Sequence, residues 1–316
     1  MKLYLVVPCY NEEEVLPETA RRLREKYEVL MEAGKISRDS RIVFVNDGSR
    51  DRTWEIIREL HDADPTFRGI CLSRNKGHQN ALMAGLMTVR HECDAAISLD
   101  ADLQDDINAI DAMVDKFTEG FDVVYGVRSS RKKDSFFKRS TAQGFYKLMR
   151  AMGVETVYNH ADFRLMSRRA LDALAEFPEV NLFLRGIVPL VGFRSTEVSY
   201  ERGARVAGES KYPLRKMLAF AFEGITSMSI RPIRLITALG CLIFGVSLGM
   251  LVYSLIRYFT GHTVAGWTFL SVSIWGLGGI QLLAIGVIGE YIGKIYLETK
   301  RRPKYIISEY LGGDEE

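Results

Sequence analysis

The chain has 316 residues, of which 47% are hydrophobic and 26% charged, with a formal net charge of +2. That length allows one large domain or two smaller ones, and the near-neutral balance gives no reason to expect a nucleic-acid partner. Four cysteines (Cys9, Cys71, Cys93, Cys241) fall at no paired spacing, which excludes a zinc motif and a disulfide framework and suits reduced, cytoplasm-facing thiols.

In chain order, Leu3 to Val7 is an apolar run too short for a signal peptide and followed at once by acids. It is read as a first strand, broken by Pro8-Cys9-Tyr10-Asn11. Glu12, Glu13 and Glu14 open a helix to about Ala33, since first-turn acids favour the helix dipole. Arg41 to Val45 is a second strand, followed by the loop from Asn46 to Thr53 and a helix through Leu60. Ile70 to Ser73 is a third strand, with Arg74 to Asn80 as its exit loop and a helix over Ala81 to Arg90. Ala95 to Leu99 is a fourth strand, and Val123 to Tyr125 a fifth. This alternation predicts an α/β fold with a mostly parallel, doubly wound sheet. Ligands bind such sheets beyond the carboxyl ends of the strands. Polar clusters fall there four times: after Val7, Val45, Ser73 and Leu99. No Gly-x-Gly-x-x-Gly and no Walker lysine motif is present, which argues against a dinucleotide-dependent oxidoreductase or an NTPase.

The sharpest signal follows the fourth strand. Asp100 and Asp102 stand two apart, so both point the same way if the backbone stays extended. With Gln104 they supply oxygen ligands, which suit Mg²⁺ or Mn²⁺. Asp-x-Asp alone is equally a solvated acidic turn; the three other clusters at the same edge favour a site.

The C-terminal third changes character. Leu235 to Ile256 contains no Asp, Glu, Lys or Arg, and after Arg257 the next such residue is Glu290. Two transmembrane helices are predicted, at about 233–258 and 267–291. Arg231 and Arg234 precede them, Lys294, Lys300, Arg301, Arg302 and Lys304 follow, and the loop between has no Lys or Arg. The positive-inside rule places both termini and the N-terminal domain in the cytoplasm, on a multi-pass anchor in the inner (plasma) membrane. The expected layout is a catalytic domain over 1–213, a juxtamembrane amphipathic helix over 214–232, the hairpin over 233–292 and a cytoplasmic tail over 293–316.

Four ordered motifs carry a resemblance: Val7-Pro8-Cys9-Tyr10-Asn11-Glu12-Glu13, Asn46-Asp47-Gly48-Ser49-Arg50-Asp51-Arg52-Thr53, Ser73-Arg74-Asn75-Lys76-Gly77-His78-Gln79 and Asp100-Ala101-Asp102-Leu103-Gln104-Asp105. They are similar to those of family 2 glycosyltransferases with a GT-A fold. The hairpin and the segment from Arg205 to Pro213 resemble the polyprenyl-phosphate glycosyltransferases, which include bactoprenol glucosyltransferases and dolichol-phosphate mannose synthases. The resemblance implies a nucleotide-sugar donor held near Pro8, Tyr10, Asn11, Glu12, Asp47 and Asp100, with Lys76 standing where relatives carry an aromatic. It implies a metal at Asp102 and Gln104 with Asp100 close by. Arg128, at the same sheet edge, is read as a second positive contact for the departing diphosphate. Arg139, Arg164, Arg205 and Lys211, with the Ser210 hydroxyl, are the candidates for the acceptor phosphate. Asp162 matches an acidic position facing the acceptor, as base or as positioning group. Asp100, Asp102 and Asp162 thus form the expected catalytic set. His78 and Gln79 are read as stabilising their loop or bordering the donor phosphates. The implied reaction is inverting transfer of a sugar, glucose from UDP-glucose first, to a membrane polyprenyl phosphate for cell-envelope glycosylation. A GDP-mannose-using enzyme and a non-catalytic nucleotide-sugar binder are the alternatives, and a tetramer is among the assemblies the resemblance allows.

Overall fold

Every residue of the first strand, β1 (Leu3–Cys9), is buried, and its side chains alternate between two cores. Leu3, Leu5 and Val7 meet Leu16, Ala20 and Leu23 on one face, while Tyr4 and Val6 meet Ala81, Leu82 and Leu86 on the other. A strand covered on both faces reads as an unbroken apolar run, as this one does. In a computed structural model, residues 1–128, 152, 160–180, 182–201, 225–227, 229–260 and 266–312 are described.

After β1 come α1 (Leu16–Glu32), β2 (Arg41–Asn46), α2 (Thr53–Ala63), β3 (Phe67–Leu72), α3 (His78–Val89), β4 (Ala95–Ser98), α4 (Ala109–Thr118) and β5 (Val123–Arg128). Helix α1 starts later than the acids suggest. Pro17 sits in its first turn, where a missing N–H costs nothing. The Glu12 carbonyl accepts the Val15 and Leu16 N–H groups in the preceding turn. The chain continues through β6 (His160–Ser167), α5 (Arg168–Ala175), α6 (Leu184–Leu190), β7 (Ser195–Tyr200), α7 (Arg231–Phe259), α8 (Trp267–Thr299) and β8 (Ile307–Leu311).

The eight strands form one sheet in the order β7-β5-β6-β4-β1-β2-β3-β8. Its β4-β1-β2-β3 portion is parallel throughout, as expected. The sheet as a whole is mixed. β6 inserts antiparallel between β4 and β5, β7 lies parallel to β5, and β8 closes the far edge antiparallel to β3. None of β6, β7 and β8 is foreseen in the sequence. Within the expected tail over 293–316, Ile307–Leu311 therefore returns to the domain and completes its sheet.

Helices α7 and α8 present apolar side chains outward, among them Leu235, Leu242 and Val246 on the first and Ile274, Leu282 and Ile285 on the second. Among the described residues one stretch, Gly276–Thr299, is long and apolar enough to cross a membrane, at 24 residues and with none of its apolar window buried. Two spans are expected from the sequence; two long helices stand there, and one carries a stretch of that kind. Most of the expected amphipathic helix over 214–232 lies outside the described residues, as does the loop 261–265; Ile225, Thr226 and Ser227 are helical.

Candidate active site

The loops after β1, β2 and β3 are tied to one another by side chains capping backbone groups. Asn11, in the left-handed region at φ 54, donates its N–H to Ser49 Oγ at 3.0 Å and accepts the Arg50 N–H at 2.9 Å. The Glu12 N–H reaches Thr53 Oγ1 at 2.9 Å. Asp47 is buried, and its two oxygens accept the N–H groups of Lys76 at 2.6 Å and Gly77 at 2.8 Å. Burial pushes its pKa up while those two N–H groups pull it down. Gly48 is required here: its φ is +64, and a Cβ would lie 2.5 Å from the Asn75 nitrogen. Pro8 is buried within β1, Tyr10 is exposed, and Glu12 and Lys76 are partly buried. The expected donor residues therefore do share one edge. A cavity of about 490 Å³ flanks them, lined by Asn11, Glu12, Glu13, Glu14, Val15, Arg50 and Asp51. It borders the donor loops but not Asp100 or Asp102.

The β4–β6 pairing builds the centre. Ser98 stands opposite Arg164, so the same register continued by two residues sets Asp100 across from Asp162. The Ser98 hydroxyl fastens the crossing by donating to the Asp162 carbonyl. His78, first residue of α3, lies between the two acids, its Nε2 3.5 Å from Asp100 Oδ1 and 3.8 Å from Asp162 Oδ2.

The two carboxylates face opposite fields. Asp162 is gripped by Arg164 Nη2 at 2.7 Å and by Arg185 Nη2 at 3.1 Å. Burial pushes its pKa up, but Arg185, Arg164 and His78 outweigh burial and hold it well below the usual carboxylate range. Such a group stays ionised and is a poor proton acceptor; of the two roles foreseen for Asp162, the geometry matches positioning. Among the described residues Asp100 pairs with no arginine or lysine and meets the His78 ring instead. Burial pushes it up to about 6; His78 opposes that shift, while Asp162, Asp105 and Asp102 add to it.

Beyond Asp100 the chain turns sharply. Leu103 adopts φ 51, an uncommon conformation for a branched side chain, and the Gln104 N–H donates to Asp102 Oδ1 at 3.2 Å. Gln104 is buried. Asp105 anchors the turn. Only 1% of its side chain is exposed, it accepts the Tyr200 hydroxyl, and Arg128 Nη2 approaches its Oδ1 at 3.4 Å. Arg128 Nε also donates to the Tyr200 oxygen at 3.3 Å. Arg128 thus sits at the acidic loop, as expected, held from β7.

Arg164 departs from expectation. It is 2% exposed and bonded to Asp162 and to the Leu184 carbonyl at 3.4 Å. A guanidinium enclosed in this way supports Asp162 and offers no open face to an acceptor phosphate. Arg139, Arg205, Ser210 and Lys211 lie outside the described residues. Arg185, Tyr200 and Asp105 are site residues that the sequence reading misses. Arg185 left one signal: it is the lone charge in the apolar run from Leu182 to Val191.

A sequence profile described as Glycosyl transferase family 2 matches residues 4–175, which span every loop above and β4 with β6. The chain belongs to glycosyl transferase family 2. It is 54% identical over 305 residues to the uncharacterized glycosyltransferase YkoT of Bacillus subtilis (strain 168), covering 96% of this chain and 90% of that one. It is 43% identical over 312 residues to the bactoprenol glucosyl transferase of Shigella phage SfV, covering 97% and 98%. A prophage bactoprenol glucosyl transferase homolog of Escherichia coli (strain K12) is 42% identical over 311 residues, covering 97% and 98%. The protein is thus a glycosyltransferase with a GT-A-like fold.

The residues of this glycosyltransferase fit a divalent cation. Among the described residues no three His, Cys, Asp or Glu side chains close into a metal cage. Two carboxylates at a strand end are the open arrangement that Mg²⁺ adopts when substrate phosphates complete its shell. Asp102, Asp105 and Asp162 add negative charge around Asp100, which a cation would offset.

Proposed function

We propose that the enzyme transfers glucose from UDP-glucose to a membrane polyprenyl phosphate with inversion at the anomeric carbon. The observation that carries this reading is the likeness to bactoprenol glucosyl transferases, which runs through the two long helices as well as the catalytic domain. Asp100 and Asp102, with Gln104 beside them, would hold Mg²⁺ or Mn²⁺. When bound, the cation neutralises charge on the leaving diphosphate. Arg128, fixed by Asp105 and Tyr200, adds a positive group at the same edge. The loops carrying Pro8, Tyr10, Asn11, Glu12, Asp47 and Lys76 bind the nucleotide. The acceptor is itself a phosphate, so it needs alignment and shielding from water more than a base. Asp162, ionised and clamped, orients Arg185 and His78 toward it. Arg139, Arg205, Ser210 and Lys211 are further candidates for holding the acceptor phosphate.

Helices α7 and α8 form a membrane hairpin in this reading. Strands from both sides of the pair lie in one sheet, β1 to β7 before it and β8 after it. A chain that leaves a domain and rejoins the same sheet crosses any bilayer an even number of times. That supports two spans, with the domain and both termini on the cytoplasmic face of the plasma membrane. The test is a panel of radiolabelled nucleotide sugars with purified protein, polyprenyl phosphate and Mg²⁺ or Mn²⁺. Label from UDP-glucose entering the lipid phase, lost in excess chelator, is the expected result. Label entering only from GDP-mannose, or transfer indifferent to chelator, contradicts it.

A further inference from the structure

Tyr291, Lys294 and Glu298 are three of the polar side chains in the last turns of α8. Spaced three and four apart, they share one helix face. They are the partly buried positions between 291 and 300, whereas Ile292, Ile295, Tyr296 and Leu297 are exposed. Each reaches into chain outside the helix. The Tyr291 hydroxyl donates to the Ser229 carbonyl. Lys294 Nζ donates to Thr226 Oγ1 at 2.6 Å and Ser227 Oγ at 2.8 Å. Glu298 Oε2 accepts the Val180 N–H at 2.8 Å, and Lys304, just beyond the helix, donates to the Phe177 carbonyl at 3.0 Å. Lys294 and Lys304, part of the positive charge that flanks the apolar helix, both donate to protein groups here.

The segment they hold leads straight to the site. Four residues after Val180, the Leu184 N–H donates to Gln79 Oε1 at 2.8 Å, beside His78. The next residue, Arg185, holds Asp162. One short run is therefore fastened to the apolar helix at one end and to the acid opposite Asp100 at the other.

We propose that Glu298, with Lys304, is a positioning residue that sets the Arg185–Asp162 pair at a fixed height relative to the bilayer, in register with a lipid-borne acceptor phosphate. The proposal rests on the membrane polyprenyl-phosphate reading above. A displacement of about 1 Å in the alignment of reacting groups costs roughly 10²-fold in rate, so a site whose acceptor arrives in a membrane depends on the link between the two. The link acts mainly on the acceptor side; it touches the donor side at Gln79, whereas Asn11, Glu12 and Asp47 are held by hydrogen bonds of their own.

The test uses the full-length protein in lipid nanodiscs, with Glu298→Ala and Glu298→Gln. Amide exchange in peptides over 178–186 reads the strut, and kcat/KM for polyprenyl phosphate against KM for UDP-glucose reads its consequence. In Glu298→Ala, exchange accelerates and acceptor kcat/KM falls about tenfold or more, while the UDP-glucose KM stays within about twofold. Glu298→Gln, whose amide oxygen still accepts the Val180 N–H, recovers both. Unchanged exchange in Glu298→Ala, or donor and acceptor constants worsening together, overturns the proposal. If the wild type transfers sugar to no polyprenyl phosphate, the acceptor reading fails, and exchange over 178–186 alone then upholds or overturns the strut.

Discussion

The two sides of the sheet meet at Asp100 and Asp162, and they manage charge in opposite ways. On the β1–β4 side, polar groups are satisfied locally, loop against loop, by backbone N–H donors, and among the described residues the acid at the strand end meets a histidine but no arginine or lysine. Toward β5–β7, two acids are enclosed by their partners: Asp162 by Arg164 and Arg185, and Asp105 by Arg128 and the Tyr200 hydroxyl. The difference separates a binding surface from a scaffold. Asp162 and Asp105 are already compensated and serve by holding neighbours in place. Among the described residues Asp100 has no arginine or lysine clamp, and that leaves its carboxylate open to a cation from solution.

The largest expected effect breaks the open side. Asp100→Asn keeps the shape and removes the charge; sugar transfer should fall by about 10³-fold, as for the loss of a group acting on charge that develops in the transition state. Nucleotide-sugar turnover by purified protein measures it, and near-normal turnover would place the cation elsewhere. Next comes the enclosed side. Asp162→Asn leaves Arg164 buried beside a neutral group, and breaking a buried pair costs roughly 3–5 kcal/mol, read as a lowered denaturation midpoint. The sign of its pH dependence follows. The folded pKa of Asp162 lies below the unfolded value, so its stabilisation is present above about pH 4 and is lost only as pH falls toward the folded value. The variant's deficit should therefore persist from neutral pH down to about pH 4. A deficit confined to neutral pH contradicts the clamp. The smallest effect sharpens the comparison. Tyr200→Phe removes one hydroxyl from buried Asp105, about 1.5–3 kcal/mol for a hydrogen bond to a charged group. It should weaken turnover moderately by loosening Arg128 and the acidic loop, with nucleotide affinity, proposed to rest on the Asp47 loop, unaffected. Equal loss of both would make Tyr200 a general core residue.

The same division explains what was legible in the sequence. The β1–β4 side is written locally: an apolar run, a polar cluster, a helix, repeated in order. Its loops and Asp100 with Asp102 follow from that pattern, and the residues expected near a donor come from the family resemblance of those loops. The other side is written in long-range pairings. β6 enters the sheet between β4 and β5, and nothing near Asp162 in sequence says that it will face Asp100. Arg164 displays its charge in the sequence but not its burial, so it resembles a phosphate contact when it is a support. Arg185 hides in an apolar helix, and Tyr200 in a strand whose partner, β5, lies far back in the chain. The strand from Ile307 to Leu311 follows a long apolar helix and reads as tail, because its ladder partner, β3, was left more than two hundred residues earlier.

The claim on which the mechanism turns is that Asp100 holds a divalent cation, and Mn²⁺ titration of the wild-type protein tests it most directly. A cation binds the ionised carboxylate in competition with the proton. Burial holds the Asp100 carboxyl above the ordinary carboxylate range, so Mn²⁺ affinity should rise from pH 5 to pH 7, and Asp100→Asn should both weaken binding and flatten that rise. Binding of equal strength at the two pH values, unchanged in the variant, would contradict the account.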